Sequence, residues 1–311
     1  MSSLPLVSII TPSYNQASFL EKTICSVLDQ DYSNIEYLVA DGGSNDGSVE
    51  IIKKFSQRIS WWVSEKDSGQ AEAINKGLKR ARGDVIAWIN SDDYYIPGAV
   101  SEAVQALIDH PEAGFVFGNV RVVDRHGKIL NHITYGDWGF RELMSFYIIG
   151  QPAVFMRRNV LEKVGLLDSS YHYLLDHQLW LRLALTSGMK YIPRLWATAH
   201  YHEGCKNLAQ AAEFGKEALR IVQWMEETPA FDAYFHPNQR MIRAGAERLN
   251  GFYLLEAKEY SAAFRAYWKS FLLRPATVKQ EWYRMVYAFF APLGLDGLKE
   301  RFIENRRKRL N

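Results

Sequence analysis

Asn90, Ser91, Asp92 and Asp93 are the residues of this chain best placed, by type and spacing, to do chemistry. They follow a short apolar run, Val85, Ile86, Trp88 and Ile89, bounded by Gly83 before and Pro97 after, whose composition predicts a buried strand. Polar groups at the C-terminal end of a strand face the ligand crevice of an open α/β sheet. Two adjacent carboxylates repel each other unless positive charge stands between them and solvent. A divalent cation carried on a diphosphate would supply that charge, because hard cations take oxygen ligands. On these residues alone a solvated Ser-Asp-Asp turn explains the stretch equally well, and the context decides between the two.

The elements that must position this turn alternate in type. Residues 7–12 predict a first strand stopped by Pro12, followed by the polar loop Ser13, Tyr14, Asn15 and Gln16. Ser18 and Glu21 have capping-box spacing, and Leu20, Ile24, Val27 and Leu28 mark one face of a helix. Residues 35–40 predict a second strand that ends on Asp41, and the small-residue loop 42–47 leads into a helix with Val49, Ile51, Ile52 and Phe55 as its apolar positions. A third strand is expected over 59–64, a polar loop over 65–70 and a helix over 71–81 closed by Gly83. This alternation implies parallel pairing through right-handed crossovers. Tyr14, Asp41 and the 90–93 turn then fall at neighbouring strand ends, and acids and amides at several such ends are harder to dismiss as turn formers than a lone one. No G-x-G-x-x-G follows the first strand, which disfavours a dinucleotide-binding domain, and no G-x-x-x-x-G-K-[ST] occurs, which excludes a P-loop.

The second half changes character. A helix is expected from Pro97 to about 109, strands over 114–123, 128–133 and 152–156, a helix over 176–186 closed by Gly188, and a last strand over 196–201 ending on His202. Beyond Lys206 the composition turns to helix formers, with helices expected at 207–227, 238–257, 260–273, 276–290 and 293–309. The segments 251–258 and 261–274 resemble one helical-repeat hairpin, but a single pair is not an array, so a helical extension is expected. Trp282, Tyr283, Met285, Val286, Tyr287, Phe289 and Phe290 precede a basic stretch over 301–309. Two readings stand: the aromatics pack the helices on one another, or aromatics and cations together meet a membrane interface. The run Arg306 to Arg309 by itself reads as a solvated helix end.

At 311 residues and 48% hydrophobic, the chain holds one large domain or one plus an appendage. A formal net charge of +2 argues against nucleic acid as an obligate partner. Cys25 and Cys205 lie in no metal or redox spacing, which fits a reducing cytoplasm. Residues 1–5 lack a signal peptide's charged start, and no stretch of about 18 uncharged apolar residues predicts a spanning helix. The expected location is cytoplasmic, peripheral on the inner face of the membrane if the tail binds lipid.

With these pieces placed, the segments 7–15, 41–48, 69–77, 90–93, 175–182 and 202–204 together resemble the inverting glycosyltransferases of family 2, which have the GT-A fold. The resemblance covers the first 205 residues or so. It implies an α/β fold with a mostly parallel twisted sheet flanked by helices. A nucleotide-sugar-binding half at about 1–95 and an acceptor half at 96–205 would be followed by an all-helical extension over 206–311. It further implies metal-dependent transfer, with Mg or Mn, from a nucleotide-diphosphate sugar to an acceptor hydroxyl. A UDP-sugar is the first expectation, with GDP- or dTDP-sugars as alternatives. The acceptor would be a glycan or a lipid-linked molecule, and the role assembly of a surface polysaccharide or other glycan.

Carried over residue by residue, Thr11, Pro12 and Tyr14 would border the base and ribose, and Asp41 would accept a hydrogen bond from the base edge. Gln70 and Asn75 would help hold the nucleotide. Asn90, Ser91 and Asp92 occupy the family's DxD position; Asn90 replaces the common first acid and can hydrogen-bond a ribose hydroxyl without adding charge. Asp92 is then the expected metal ligand, Asp93 its neighbour, and His202 matches a histidine that reaches the metal in some members. Asp176 stands where the family carries its catalytic base, with Leu175 and Gln178 in place of the usual flanking acids, so that fewer like charges oppose its ionisation. It opens a helix and follows the aromatic stretch 171–175, able to stack on a sugar; the alternative is a plain N-cap. Acceptor contacts are expected in 135–151 and 169–174. A catalytically inactive nucleotide-sugar-binding protein is the other reading, with Asn90, Leu175 and Gln178 as marks of decay. A nucleotidyltransferase would carry a Gly-rich basic loop after the first strand, and residues 13–16 are neither.

Overall fold

The structure, a computed structural model, describes residues 4–202, 210–279 and 281–293. Strand β1 (Val7–Ser13) is hydrogen-bonded on both sides, to β2 (Ile35–Asp41) and to β4 (Val85–Trp88), in parallel. All of its residues are buried, as a strand covered on both faces requires. Strand β3 (Trp61–Ser64) extends the parallel half from β2. The other half is mixed. Strand β8 (Val154–Arg157) runs antiparallel to both β4 and β6 (Phe115–Val123), while β9 (Met189–His200) runs parallel to β6. The full order is β3-β2-β1-β4-β8-β6-β9-β5, where β5 is Tyr94–Tyr95, and β7 (Ile129–Ile133) pairs with β6.

Helices cover both faces. Helix α1 (Ala17–Leu28) brings Leu20, Ile24 and Val27, and α4 (Ala99–Asp109) brings Val100, Ala103 and Leu107, onto Val7, Ile9, Val39, Ala87 and Ile89. The intervening α2 (Ser48–Lys54) adds Ile52. On the opposite face α3 (Gln70–Leu78) comes so close to β1 that a Cβ on Gly77 would meet Ile10 at 2.6 Å. There also Trp180 of α7 (Leu175–Thr186) stacks on Trp88, with ring centroids 5.0 Å apart.

Several expectations are corrected. Ser18 does not cap α1: the cap residue is Gln16, without a side-chain bond, and Glu21 pairs with Lys54 at 2.6 Å instead. The first-turn amides are taken by the neighbouring loop, with Asp46 accepting from Ala17 at 2.9 Å and Ser48 from Gln16 at 3.1 Å. The last strand starts at Met189, seven residues before its expected start. The elements β5, α5 (Phe140–Met144) and α6 (Arg158–Val164) were not expected; they are short, and β5 exists only as a partner of β9.

The chain divides into two compact units, Met1–Phe140 with Ile149–His200, and Arg141–Ile148 with Tyr201–Asn311. The second is helical: α8 (Ala211–Glu227), α9 (Asp232–Glu256), α10 (Tyr260–Leu273), α11 (Pro275–Val278) and α12 (Trp282–Phe290). Tyr253 stacks on Phe214, the Ser270 hydroxyl donates to the Ala244 carbonyl at 2.7 Å, and Arg248 holds Glu281 at 2.7 Å. The single helix expected at 276–290 is two, and that expected at 293–309 lies almost wholly outside the described residues. The start of the one at 207–227 also lies outside them. Among the described residues no helix is long and apolar enough to cross a membrane.

At the N-terminal ends of the strands a buried clasp joins three segments. Glu36, with its side chain 5% exposed, accepts from Ser8 Oγ at 2.6 Å, from the Arg82 backbone at 2.8 Å and from Arg82 Nε at 2.6 Å, and Gly83 N–H donates to Ser8 Oγ at 2.8 Å. Burial by itself pushes the Glu36 carboxyl up, but these hydrogen bonds and the Arg82 charge outweigh it and hold it below the usual range. A depressed carboxyl stabilises the fold above the ordinary glutamate range and loses that contribution as pH falls through its own lower value. Replacement Glu36→Gln is therefore expected to cost about 1.5–3 kcal/mol at pH 7. The gap from the unaltered chain should shrink as pH falls through the acid range, read as the difference in melting temperature.

Candidate active site

The turn at 90–93 is held from three sides. Thr23 Oγ1, on α1, lies 2.9 Å from the Ser91 carbonyl and 2.6 Å from that of Asp93. The last residue of β9, His200, donates its backbone N–H to Asp93 Oδ1 at 3.2 Å, and its ring Nδ1 hydrogen-bonds the Asp92 carbonyl. The His200 ring sits between Phe19 and Tyr94, at 5.0 and 5.4 Å. Gln70 Nε2 donates to Asn90 Oδ1 at 2.7 Å, and the Asn90 side chain also bonds the Asp93 carboxyl.

The two acids therefore differ. Asp93 is 6% exposed, and burial first, then the charge of Asp92, raises its carboxyl well above the usual range against the opposing bonds from His200 and Asn90. Asp92 remains half-buried at the end of β4. The side chain of Asn90 works inside the turn, as an acceptor for Gln70 and a donor to Asp93. An aspartate there would lose the donor and set a third carboxylate beside the pair. Ser91 is buried.

The neighbouring strand ends are equally occupied by their own loops. Ser13 is paired with Asp41 across β1 and β2, and the Ser13 carbonyl accepts from Gly42 N–H at 2.8 Å. The Asp41 carboxylate, 1% exposed, accepts from the backbone of Gly43 and Ser44 and from the hydroxyls of Ser44 and Ser64, at 2.5–3.1 Å. Asp41 thus folds its loop, and Oδ1, with one bond, retains the greater capacity to accept another. Thr11 is wholly buried, and its hydroxyl accepts from that of Tyr37 at 3.0 Å, so its side chain packs in the core. Pro12 is buried as well, whereas Tyr14 is 62% exposed.

Asp176 lies at the second position of α7, after the cap residue Leu174 and Leu175, and accepts from the N–H of His177 at 2.7 Å; it is not the N-cap. The segment that delivers it is clasped twice. Asn75 donates to the Leu167 carbonyl at 2.9 Å and accepts the Leu167 N–H at 3.0 Å. Arg182 donates to the carbonyls of Val164 and Leu166 at 2.7 and 2.9 Å, and to Gln178 at 3.1 Å. The Asn75 amide, expected to hold a nucleotide, is thus committed to this loop, and Gln178 is a buried support for Arg182. Tyr171 is 2% exposed and unavailable for stacking, while His172 is exposed and Tyr173 half-buried.

Of the 135–151 segment, Tyr135 lies near enough to Asp176 to feel its charge, while residues 141–148 belong to the helical unit. Tyr135, whose hydroxyl accepts from Gly150 N–H at 2.6 Å, is raised by burial and also by the charges of Tyr191 and Asp176. Trp138 meets Tyr135 edge-on at 5.1 Å.

Sequence reasoning missed four residues. Asp67 lies just past the end of β3, as Asp41 closes β2; a Cβ on Gly42 would meet the Asp67 carboxylate at 2.8 Å. Burial, with the like charges of Glu72 and Asp41, raises Asp67 against the Gly69 N–H and Lys76. Its place after a strand was the available signal. Lys22, 3.6 Å over the Tyr94 ring, and Arg121, 3.0 Å from Thr198 Oγ1, set two cations on the β5–β9 pair beside the turn. His200 has no signal in sequence, because only the register of β9 brings it to the turn. His202 falls beyond β9, in the helical unit.

Among the described residues no three His, Cys, Asp or Glu side chains converge on a point. The half-buried Asp92 fits a different mode, in which a hard cation is held by one or two carboxylates and by the phosphates of its substrate.

A parallel half-sheet ending in an acidic turn, continued by a mixed half that brings in a second carboxylate, defines a GT-A-type transferase. The glycosyl transferase family 2 profile matches residues 8–165, and the chain belongs to that family. An uncharacterised glycosyltransferase of Rickettsia typhi is 26% identical over 208 residues, 64% of this chain and 65% of its own length. One of Mycobacterium tuberculosis is 32% identical over 189 residues, covering 60% of this chain and 71% of that relative. The chain spans less than two thirds of the Rickettsia typhi relative, and only 19% of a Rickettsia bellii one. Of solved structures, S. aureus TarS 1-349 in complex with UDP-GlcNAc superposes with a TM-score of 0.60 at 13% identity, over 84% of this chain and 89% of that one. Mannosyltransferase PcManGT from Pyrobaculum calidifontis, in complex with GDP-Man and Mn2+, does so with a TM-score of 0.56 at 20% identity, over 95% and 89%.

The clasp on Leu167 generates a test. Asn75→Ala removes both bonds and is expected to lower stability by about 1–3 kcal/mol. It should also reduce sugar transfer by about tenfold or more while leaving nucleotide affinity within about threefold, because loop misplacement reaches the chemistry rather than the donor. Parallel calorimetric nucleotide titration and transfer assays check it.

Proposed function

We propose that this transferase moves a sugar from a nucleotide-diphosphate sugar to an acceptor hydroxyl in one inverting displacement, with Asp176 as the base and Asp92 as the ligand of a divalent cation, Mg or Mn. The observation that carries the reading is the division of labour in the acidic turn. Asp93 is buried and bonded within the turn by His200 and Asn90, whereas Asp92 is only half-buried, and we read Asp92 as the acid that meets a ligand. Asn90 has a packing role with Gln70 and Asp93, so it does not count as decay toward an inactive binding protein.

The neighbours support the donor class. TarS is in complex with UDP-GlcNAc, and the mannosyltransferase with GDP-Man and Mn2+. A donor with its base over Asp41, Asp67 and Tyr14 would place its diphosphate toward the ends of β1 and β4. There the Ser13 hydroxyl is buried with no hydrogen-bond partner among the described residues, a state that calls for a bound group. His202 is a further candidate ligand.

The cation, when bound, would act as a Lewis acid for the leaving diphosphate. The chain's own residues do the rest. Lys22 and Arg121 supply fixed positive charge beside the turn. A carboxylate in the first turn of a helix is favoured in its ionised form. Asp176 takes the proton of the acceptor hydroxyl as that oxygen bonds the anomeric carbon and the bond to the diphosphate breaks. We read Tyr173 and Trp138 as rings that meet the acceptor, a glycan or a lipid-linked molecule in glycan assembly on the cytoplasmic side of a membrane.

Two measurements test this. Asp176→Asn should leave the melting temperature and donor affinity near normal and reduce transfer by at least about 10²-fold. Near-normal transfer by the folded variant would remove Asp176 as the base. Excess EDTA and Asp92→Ala should each abolish release of nucleoside diphosphate from candidate donors, and undiminished turnover in either case refutes the cation.

A further inference from the structure

The helical unit carries a surface that donor binding and catalysis do not use. On α10 the exposed large side chains are Trp268 and Leu272, one turn apart, at 45% and 61%. On α12 Trp282, Val286, Phe289 and Phe290, at 60%, 38%, 54% and 43%, stand at helical spacing on one side, with Tyr283 exposed beside them at 37%. The two rows are continuous. Phe264 touches Phe289 at 5.1 Å and stacks on Trp268, which stacks on Phe271. A packing role accounts for only part of this group. Ala288 and Tyr287 face the small core with Leu255 and Ala263, while the six residues of the two rows remain turned outward.

The charges carried by this stretch itself are one-sided, although Lys269 lies 3.6 Å from Glu247 of α9. Between 260 and 293 the chain has Arg265, Lys269, Arg274, Lys279 and Arg284, and Glu281 as its only acid. Arg265, Lys269, Arg274 and Lys279 are exposed, whereas Glu281 is turned inward onto Arg248 and Arg284. The asymmetry holds over the whole C-terminal region. Residues 260–311 carry eleven Lys and Arg against four Asp and Glu, and the preceding 259 residues carry twenty-six against thirty-one. A nearly neutral chain thus carries a formal +7 in its last 52 residues, +4 of it on the segment 260–293 that exposes the aromatics.

We propose that this face of α10 and α12 docks on the surface of an anionic lipid bilayer. Tryptophan and phenylalanine enter the boundary between headgroups and acyl chains, and lysine and arginine are attracted to acidic headgroups. A second copy of the chain is the poorer occupant, because joining two such faces would oppose two sets of like charges. No helix needs to cross the bilayer; the rows lie along their helices, as an in-plane contact requires.

The test is flotation of the full chain with vesicles. Binding is expected to 70:30 phosphatidylcholine:phosphatidylglycerol, at least about tenfold stronger than to pure phosphatidylcholine, and weakened by salt. The tryptophan emission should shift to the blue and be quenched by lipids brominated in their acyl chains. The variant W282S/F289S should lose at least about tenfold in binding, and R274Q/K279Q at least about threefold on anionic vesicles alone, both with unaltered circular dichroism. Failure of the unaltered chain to float with anionic vesicles overturns the proposal, as does binding unchanged in W282S/F289S. If that variant folds poorly, absence of quenching in the unaltered chain decides against it. Concentration-dependent dimerisation without lipid binding would give the face to a second copy. None of these outcomes depends on the donor or on catalysis.

Discussion

Two carboxylates in succession at the end of a buried strand repel each other, and the sheet unit is arranged around how that repulsion is resolved. Asp93 is driven inward, where its carboxyl is raised and bonded by the β9 backbone and by Asn90. Asp92 is left half-buried. The arrangement demands that β9 end at the turn, that α1 present Thr23 to two of its carbonyls, and that α3 begin with Gln70 against Asn90. Three elements far apart in the chain are therefore positioned by one turn.

The same economy governs the loops. Asp41, Asp46, Ser44 and Ser48 saturate the amides of the segments after β1 and β2, so the two loops brace each other. Preorganised polar groups are worth more to a ligand than mobile ones, because their ordering is complete before binding. Asn75 and Arg182 do this for the loop before α7, chiefly through its backbone groups.

Periodicity, turn residues and acids at strand ends were enough to read the parallel half-sheet, the position of the acidic turn and the helical character of the C-terminal region. The reason is physical: a strand buried on both faces must be continuously apolar, and its crossover helix must show a 3.6-residue stripe. Ile9, Val39 and Ala87 with Leu20 and Ile24 satisfy both rules locally, so their placement follows from the chain itself.

What needed the tertiary structure was the use each polar side chain is put to. Thr11, Asn75 and Asn90 are polar residues beside strand ends or on the helix between them, yet their hydrogen bonds close on Tyr37, Leu167, Gln70 and Asp93 inside the protein. Ser18 has the spacing of a cap and loses to Asp46, twenty-eight residues on, because the loop after β2 reaches those amides first. His200 meets the turn through the register of β9, and β5 exists only in that pairing. Apolar side chains are sorted by a burial that periodicity already encodes, whereas a polar one is assigned by whichever partner lies within about 3 Å of it. That partner is known only once segments distant in sequence have been brought together.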